Sequence, residues 1–262
     1  MKRILRSLLR DMSRAISGVG FYVSLLLVVF IQMRAVLEEF LMPGGDIIYY
    51  LDLTLGTGKL QMLMPAIGTM CYSWVLQRDR ETGYMIYEKY RMDHRAYYLS
   101  KMTVCFLSAY TSVIIGMLLF VAILASKVPM VSEAALINMD AYQKGLFGNL
   151  LREKMYIPYI MAITNARGII AGAWSLVGMA ISTISDERGA PYIAPFLIAY
   201  GIETLCKYMG AVLTPGDLDV GRINGLTLLQ NPLAGFMCVM AVSSCLSVGA
   251  ILVISKMEKR RY

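Results

Sequence analysis

Residues 102–126 read MTVCFLSAYTSVIIGMLLFVAILAS, twenty-five consecutive residues without a charge. A helix needs about 20 predominantly apolar residues to cross the hydrocarbon core of a bilayer. A buried helix of a soluble domain is usually shorter and keeps a polar face. This segment therefore predicts a transmembrane helix and, with it, an integral membrane fold.

The composition of the whole chain agrees with this reading. Of the 262 residues, 57% are hydrophobic and only 16% are charged, whereas about 25% of residues are charged in a typical soluble domain. A soluble chain of this length would need more polar residues to cover its surface. Because neither a linker nor a long-period repeat interrupts the chain, we expect one transmembrane domain over residues 1–262.

The apolar pattern predicts an all-α integral membrane protein with six spans. The spans are about 17–33, 60–76, 102–126, 158–184, 191–213 and 233–255. The second is short and contains Pro65, and the fifth carries Glu203 and Lys207, so these two have the weakest signal. The other four satisfy the length and composition of a spanning helix.

Positive charge in short loops sets the orientation of such a protein. With six spans, sixteen Lys and Arg residues fall on the side of the termini and seven on the other side. We therefore expect a multi-pass protein of the cell (plasma) membrane, of bacterial origin, with both termini in the cytoplasm. The net charge of +7 follows these loops rather than forming one patch, so no nucleic-acid partner is predicted.

The first sixteen residues predict an amphipathic helix on the inner membrane surface. Ile4, Leu5, Leu8, Leu9 and Met12 recur at helical spacing, and arginines fill much of the remaining surface. Such a helix lies in the interface with its arginines near anionic headgroups, which makes membrane lipid an expected partner. The alternative is a basic topology anchor with no further role.

Catalytic signatures are absent from the sequence: no HExxH, GxSxG or clustered metal ligands occur, and His94 is the single histidine. We therefore predict no catalytic residue and no metal site. Charges inside spans are costly and often functional, and here they are Arg167, Glu203 and Lys207. They are either structural, with Glu203 and Lys207 paired at i, i+4 spacing, or part of a substrate path.

The fourth predicted span contains Gly168 and Gly172, which have the spacing that lets two helices approach closely. Packing within the chain and a subunit interface both fit this spacing. Twenty methionines also occur, and they suit either an adaptable apolar cavity or ordinary core filling.

The loop at 77–101 is the most informative part of the sequence. It begins QRDRETG at Gln77, continues through a stretch of tyrosines, and ends at Lys101. Its aromatic and charged residues at 84–91 predict a short amphipathic helix, which could dock into a groove of a soluble partner. A solvated hairpin is the alternative.

These residues resemble the permease family of type-2 ABC transporters. Those permeases carry an acidic-Arg-Glu-x-Gly element after the second span, matched here by Asp79, Arg80, Glu81 and Gly83. A basic cluster, an aromatic pair and a Lys follow in the family, matched by Arg95, Tyr97, Tyr98 and Lys101. The family usually has a Pro in the basic cluster, where this chain has Met92 and Asp93.

The resemblance implies the membrane-spanning permease subunit of an ATP-driven ABC exporter for a hydrophobic or amphipathic cargo such as a peptide, lipid or drug. Partners would be two ABC ATPase subunits, which hold the ATP and Mg, and a second permease subunit, identical or homologous. This chain would carry no cofactor. The residues implied in coupling to the ATPase are Asp79, Arg80, Glu81, Gly83, Tyr87, Glu88, Arg91, Arg95 and Lys101.

Two other functional classes compete with the exporter. One is a membrane scaffold or immunity protein with no transport of its own, and the other is an intramembrane enzyme. The enzyme is disfavoured because the spans contain no catalytic constellation. An ATPase subunit that co-purifies with the chain would separate the exporter from the scaffold.

Overall fold

The computed structural model describes residues 2–37, 45–56, 63–85, 87, 94–132, 143–211 and 226–260, and within these ranges the chain forms helices and turns without a strand. The helices are α1 (Lys2–Ser17), α2 (Val19–Leu37), α3 (Ile47–Gly56), α4 (Met64–Thr69), α5 (Val75–Glu81), α6 (His94–Ala125), α7 (Gly148–Arg152), α8 (Tyr156–Ile184), α9 (Ala190–Tyr208) and α10 (Pro232–Arg260), with a 3-10 turn at Thr227–Gln230 before α10. The predicted all-α class is confirmed.

Four helices in the described ranges are long and apolar enough to cross a membrane. They comprise Val19–Leu37, Ala96–Ala125, Tyr156–Ile184 and Pro232–Met257. These helices correspond to the first, third, fourth and sixth predicted spans. Their composition is compatible with a multi-pass membrane protein.

The second predicted span is not one helix. Its described part, from residue 63, forms α4, a turn at 70–74 and the start of α5. Pro65 lies in the first turn of α4, where a missing N–H costs little. The hydroxyl groups of Thr69 and Ser73 then donate to carbonyls three and four residues earlier, at 2.6 and 2.5 Å, and such bonds often bend helices.

The fifth predicted span forms the continuous helix α9, which is not among the four apolar candidates. Pro191 lies in its first turn, and Pro195 lies inside it. Lys207 Nζ lies 2.5 Å from Glu203 Oε1, so the expected i, i+4 pair forms. Four candidate spans are therefore shown by the structure, and the second and fifth crossings stay predictions.

Two apolar clusters occupy opposite ends of the helix bundle. One includes Ala15, Phe21, Leu76, Tyr97 and Ile254, and we call it the N-terminal end. The other, the far end, includes Val36, Leu51, Leu124, Phe147 and Val239. The helices α2, α6, α8 and α10 each contribute to both clusters, so each runs the length of the bundle.

Helix α8 lies at the centre and packs against α6, α10, α4 and α9. A Cβ at Gly168 would meet the Tyr110 ring of α6 at 2.9 Å, and one at Gly172 would meet the Phe106 ring at 2.7 Å. The small residues therefore let α6 and α8 approach closely within the chain. Of the two interpretations of their spacing, packing within the chain is the one that the structure supports.

The far end contains a helix that hydropathy did not predict. Asp46 is fully buried and caps α3, because its Oδ1 accepts the Tyr49 amide proton at 2.7 Å. Its Oδ2 accepts from the Ser132 amide at 2.9 Å. One carboxylate thus fixes α3 to the segment that follows α6, over the buried side chains of Ile47, Ile48 and Leu51. The short helix α7 follows at the same end of the bundle, since Leu151 belongs to the same apolar cluster.

Glycine at position 20 is required by a close backbone approach. An ideal Cβ there would lie 2.2 Å from the carbonyl oxygen of Met70. We expect Gly20→Ala to lower the free energy of unfolding by about 1–3 kcal/mol, because backbone on both sides would have to move. Gly201→Ala in α9 is the matched control: its Cβ would meet nothing within 4 Å, and we expect a gain of about 0.5–1 kcal/mol. Thermal unfolding in detergent measures both, and equal stability of the two variants would contradict the prediction.

Candidate functional site: a buried charge cluster

A buried lysine lies at the N-terminal end of the bundle, about two turns into the long helix α6. The side chain of Lys101 is 1% exposed, yet its Nζ lies 3.1 Å from Asp11 Oδ1 and 3.0 Å from Asp79 Oδ2. Both carboxylates are also buried. Three ionised groups from three separate helices therefore meet inside the protein.

Each helix presents its charged residue on a buried stripe. In α1 the buried residues Ser7, Asp11 and Ala15 recur every fourth position. In α5 the buried positions Val75, Leu76 and Asp79 have helical spacing. The face of α1 that packs on the protein therefore combines Ser7 and Asp11 with apolar side chains, including the partly buried Leu8 and Met12, whereas Leu9 is exposed. An outward apolar residue suits a helix whose other surroundings are lipid.

Tyrosines complete the surroundings of Lys101. The Tyr97 hydroxyl donates to Asp79 Oδ2 at 2.8 Å, and Lys101 Nζ donates to the Tyr72 hydroxyl at 3.5 Å. The ring centroids of Tyr72, Tyr84 and Tyr97 lie 5.5–5.8 Å from Nζ. Aromatic faces attract a cation most strongly when it is desolvated, so the rings stabilise the charge that burial penalises.

Arg14 brings the cluster to electrical neutrality. Its guanidinium nitrogens lie 3.8 Å from Asp11 Oδ1 and 4.0 Å from Asp79 Oδ1, and its side chain is 35% exposed. Two carboxylates thus face two cations. Within the described residues, Asp11 Oδ2 and Asp79 Oδ1 have no hydrogen-bond partner. Removal of one partner from such a buried set leaves an uncompensated charge, which costs far more than the intact set contributes.

A second set of contacts binds α5 to the end of α8. The Arg80 guanidinium donates to the carbonyls of Ser182, Thr183 (3.1 Å) and Ser185 (3.5 Å). The last carbonyls of a helix lack partners and carry partial negative charge, so an arginine satisfies both needs. Gln77 Nε2 donates to the Asp186 carbonyl at 2.7 Å. The short helix α5 therefore bridges α8 to the Lys101 cluster.

Glu81 adds a weaker contact at the surface. Its Oε2 lies 3.2 Å from an Arg188 guanidinium nitrogen, but the two side chains are 41% and 87% exposed. Exposed pairs of this kind contribute about 0–1 kcal/mol. The carbonyl contacts of Arg80 therefore dominate the attachment of α5 to α8.

The predicted coupling residues differ widely in their surroundings. Asp79 and Lys101 are buried together, and Arg80 and Glu81 bind the end of α8 and the residues after it. Gly83 has φ of +68°, a conformation that favours glycine where α5 ends. Tyr87 is 72% exposed. Glu88, Arg91 and most of the predicted helix at 84–91 lie outside the described residues, as does the side chain of Arg95.

From its position at the start of the third predicted span, Lys101 would be expected to extend to the lipid headgroups. In the structure it does not, because its side chain is buried in the cluster. Sequence reasoning also missed Asp11, which binds this lysine. One signal was present: Asp11 is the only acidic residue among the first sixteen, between Arg10 and Arg14. A lone acid in a basic helix indicates a specific cationic partner, but nothing local identifies which one.

The charge in the fourth predicted span has a different setting. Arg167 is 1% exposed, and its Nη1 lies 3.6 Å from Met117 Sδ. The buried amide of Gln32 donates to the same sulfur at 3.2 Å. Helices α2, α6 and α8 thus share a polar contact in mid-bundle. Lys207 of the Glu203 pair is instead 59% exposed.

Comparison of the chain with family models, with curated proteins and with solved structures found no match.

Proposed function

We propose that this chain is the membrane-spanning permease subunit of an ATP-driven ABC exporter, with a hydrophobic or amphipathic cargo and separate ATPase subunits. The proposal starts from the element Asp79, Arg80, Glu81 and Gly83 after the second predicted span. It includes six crossings, two cytoplasmic termini and a plasma-membrane location. Two ATPase copies and a second permease subunit complete the transporter.

The distribution of residues between the two ends of the bundle supports this topology. Ala15, Leu76, Tyr97, Met179 and Ile254 all belong to the cluster at the N-terminal end. The described parts of α1, of the 77–101 loop and of the C-terminal half of α10, and the 185–190 loop, therefore adjoin one end. In the sequence, the segments that these parts belong to contain sixteen of the twenty-five Lys and Arg residues. The positive-inside rule then places that end in the cytoplasm.

One observation carries the proposal: the buried cluster joins the N-terminal helix, the loop after the second crossing and the third crossing. Lys101 Nζ lies within 3.1 Å of carboxylates from both α1 and α5. Displacement of the 77–101 loop by a motor would therefore move α1 and α6 with it. An ATPase can shift the permease between two conformations only if it binds those conformations differently. A loop that is firmly attached to α1 and α6 provides such a contact.

A second function, a membrane scaffold or immunity protein, is favoured by a specific observation. Arg80 donates to carbonyls of α8, and Asp79 Oδ2 binds Lys101, so both side chains have partners within the chain. These contacts account for the residues at 79–80 without any soluble partner. An experiment on the exposed part of the 77–101 loop is therefore needed to distinguish the two functions.

An ATP-binding subunit is expected to be encoded beside this chain. We expect Tyr87→Ala to weaken binding of that subunit by about tenfold or more, since exposed aromatic residues often anchor interfaces. Tyr208→Ala is the matched control, because Tyr208 is 92% exposed on α9. The measurement is retention of that subunit, with its vanadate-sensitive ATP hydrolysis, on the tagged chain in nanodiscs.

The exporter reading fails if the ATP-binding subunit does not bind the wild-type chain. It also fails if Tyr87→Ala and Tyr208→Ala retain the subunit equally well. Loss of binding in Tyr87→Ala alone, with cargo export lost in parallel, is the expected result.

A further inference from the structure

A cavity of about 280 Å³ opens where α1 meets α2. Its walls come from the last turn of α1, the first turn of α2 and the residues between α4 and α5. The lining residues that matter below are Arg14, Ser17, Gly20, Tyr72, Trp74 and Arg78.

Two guanidinium groups line the cavity, whose net charge is positive. Arg78 is exposed, and its guanidinium carbon lies 5.0 Å from the centre of the Trp74 indole. Arg14 is the other charged lining residue, and no carboxylate lines the cavity. The acids near Arg14, Asp11 and Asp79, are buried behind the wall and bind Lys101 more closely than Arg14.

The partial charges of the helix ends beside the cavity do not change the positive sign of its charge. The C-terminal end of α1 and the N-terminal end of α2 carry partial charges of roughly −0.5 and +0.5, so they nearly cancel. Arg14 is balanced by Asp11 and Asp79 within the buried cluster, so Arg78 supplies the one uncompensated positive charge of the lining. The cavity therefore favours an anion, and the rings of Tyr72 and Trp74 provide an apolar wall beside it.

The position of the cavity selects the kind of anion. It lies at the junction of an arginine-rich amphipathic helix and the first residues of a candidate span, whose Val19 is 77% exposed. Tryptophan is enriched at this depth, where its ring spans the boundary between headgroups and acyl chains. The anion present at high concentration at that depth is the phosphate of a phospholipid.

We propose that this cavity binds the headgroup of an anionic phospholipid, with the phosphate between Arg14 and Arg78 and the first apolar carbons against Tyr72 and Trp74. The site is independent of any ATPase partner. Arg78 is the residue to test, because Arg14 also contacts the buried charge cluster.

The chain has two tryptophans, so Trp174→Phe leaves Trp74 as a single reporter in the cavity. The test reconstitutes this variant with phosphatidylglycerol or phosphatidylcholine brominated near the glycerol, and measures quenching of Trp74. Because Arg78 supplies the one uncompensated charge, we expect phosphatidylglycerol to be preferred over phosphatidylcholine by about fivefold. Arg78→Gln is expected to lower this lipid preference by about fivefold. Arg6 is an exposed arginine of α1 outside the lining, so Arg6→Gln is expected to leave the preference unchanged.

Equal quenching by both lipids, or an unchanged preference in Arg78→Gln, would overturn the proposal. Inorganic phosphate in detergent solution is the competing source of the same chemistry. If it abolishes the quenching by phosphatidylglycerol while chloride at equal ionic strength does not, the ligand is a soluble anion and the lipid proposal is wrong. Emission of Trp174 in a Trp74→Phe background reports whether Arg78→Gln folds, so a misfolded variant is recognised.

Discussion

Lys101→Met is expected to lower the free energy of unfolding by about 3–5 kcal/mol, the largest effect of any substitution considered for this chain. The reason is the burial of its partners: Asp11 and Asp79 are at most 1% exposed and would keep one uncompensated negative charge. Breaking a buried ionic set by removing one member costs about this much, even when the intact set contributes little.

Thermal unfolding in detergent measures this effect, followed with a thiol-reactive dye. Cys71 and Cys105 are buried, so they react on unfolding, and the three more accessible cysteines are first changed to serine. Lys127→Met is the matched control, because Lys127 is exposed beyond the end of α6, and we expect a change within about 0.5 kcal/mol. Equal midpoints for Lys101→Met and Lys127→Met would show that the buried charge is not needed for stability.

Arg80→Gln is expected to lower the free energy of unfolding by about 2–4 kcal/mol. Its guanidinium donates to the carbonyls of Ser182, Thr183 and Ser185, and hydrogen bonds of a charged group contribute about 1.5–3 kcal/mol each at good geometry. Glutamine is shorter and has one donor group, so the end of α8 would lose most of these contacts.

Arg78→Gln on the same helix is the control for this effect in lipid-free detergent. Arg78 is exposed and stacks on Trp74, so we expect a change of at most about 1 kcal/mol. The thermal midpoint and the protease sensitivity at 185–190 measure both variants. An unchanged midpoint in Arg80→Gln would mean that α5 does not hold the end of α8.

The apolar spans could be predicted from the sequence because hydrophobic length is a local property. The segment 158–184 matches α8 within two residues at each end, and 102–126 matches the C-terminal end of α6 within one residue, although α6 begins eight residues earlier. The second predicted span shows where this fails. Hydropathy scores this segment as apolar throughout and takes no account of the turn at 70–74 that separates α4 from α5.

The charge cluster could not be predicted, since it depends on pairing across the chain. Asp11 and Lys101 are ninety positions apart, and their contact follows from how α1 packs on α6. Periodicity predicts an interfacial helix from the apolar residues of α1, but it does not show which side of that helix packs on the protein. In the structure Asp11 and Ala15 are buried, Leu8 and Met12 pack against the same apolar cluster, and Leu9 is exposed.

The resemblance at 79–83 rests on residue types alone. The individual contacts of these residues come only from the structure. Arg80 and Glu81 bind in the direction of α8, whereas Asp79 binds Lys101 and Tyr97. Adjacent residues of a helix point about 100° apart, so a single short helix contacts two neighbours. Only the fold reveals which neighbours lie there.

The central claim is that one buried charge cluster fixes α1 to the 77–101 loop and to α6. Hydrogen–deuterium exchange at the α1 amides of residues 10–17 tests it most directly, because local opening of this helix is separate from global unfolding. We expect Lys101→Met to speed this exchange by about 100-fold or more, and the charge-neutral double variant Asp79→Asn/Lys101→Met to restore much of the protection. Unchanged exchange in α1 of Lys101→Met, under conditions where the rest of the bundle stays protected, would contradict the claim.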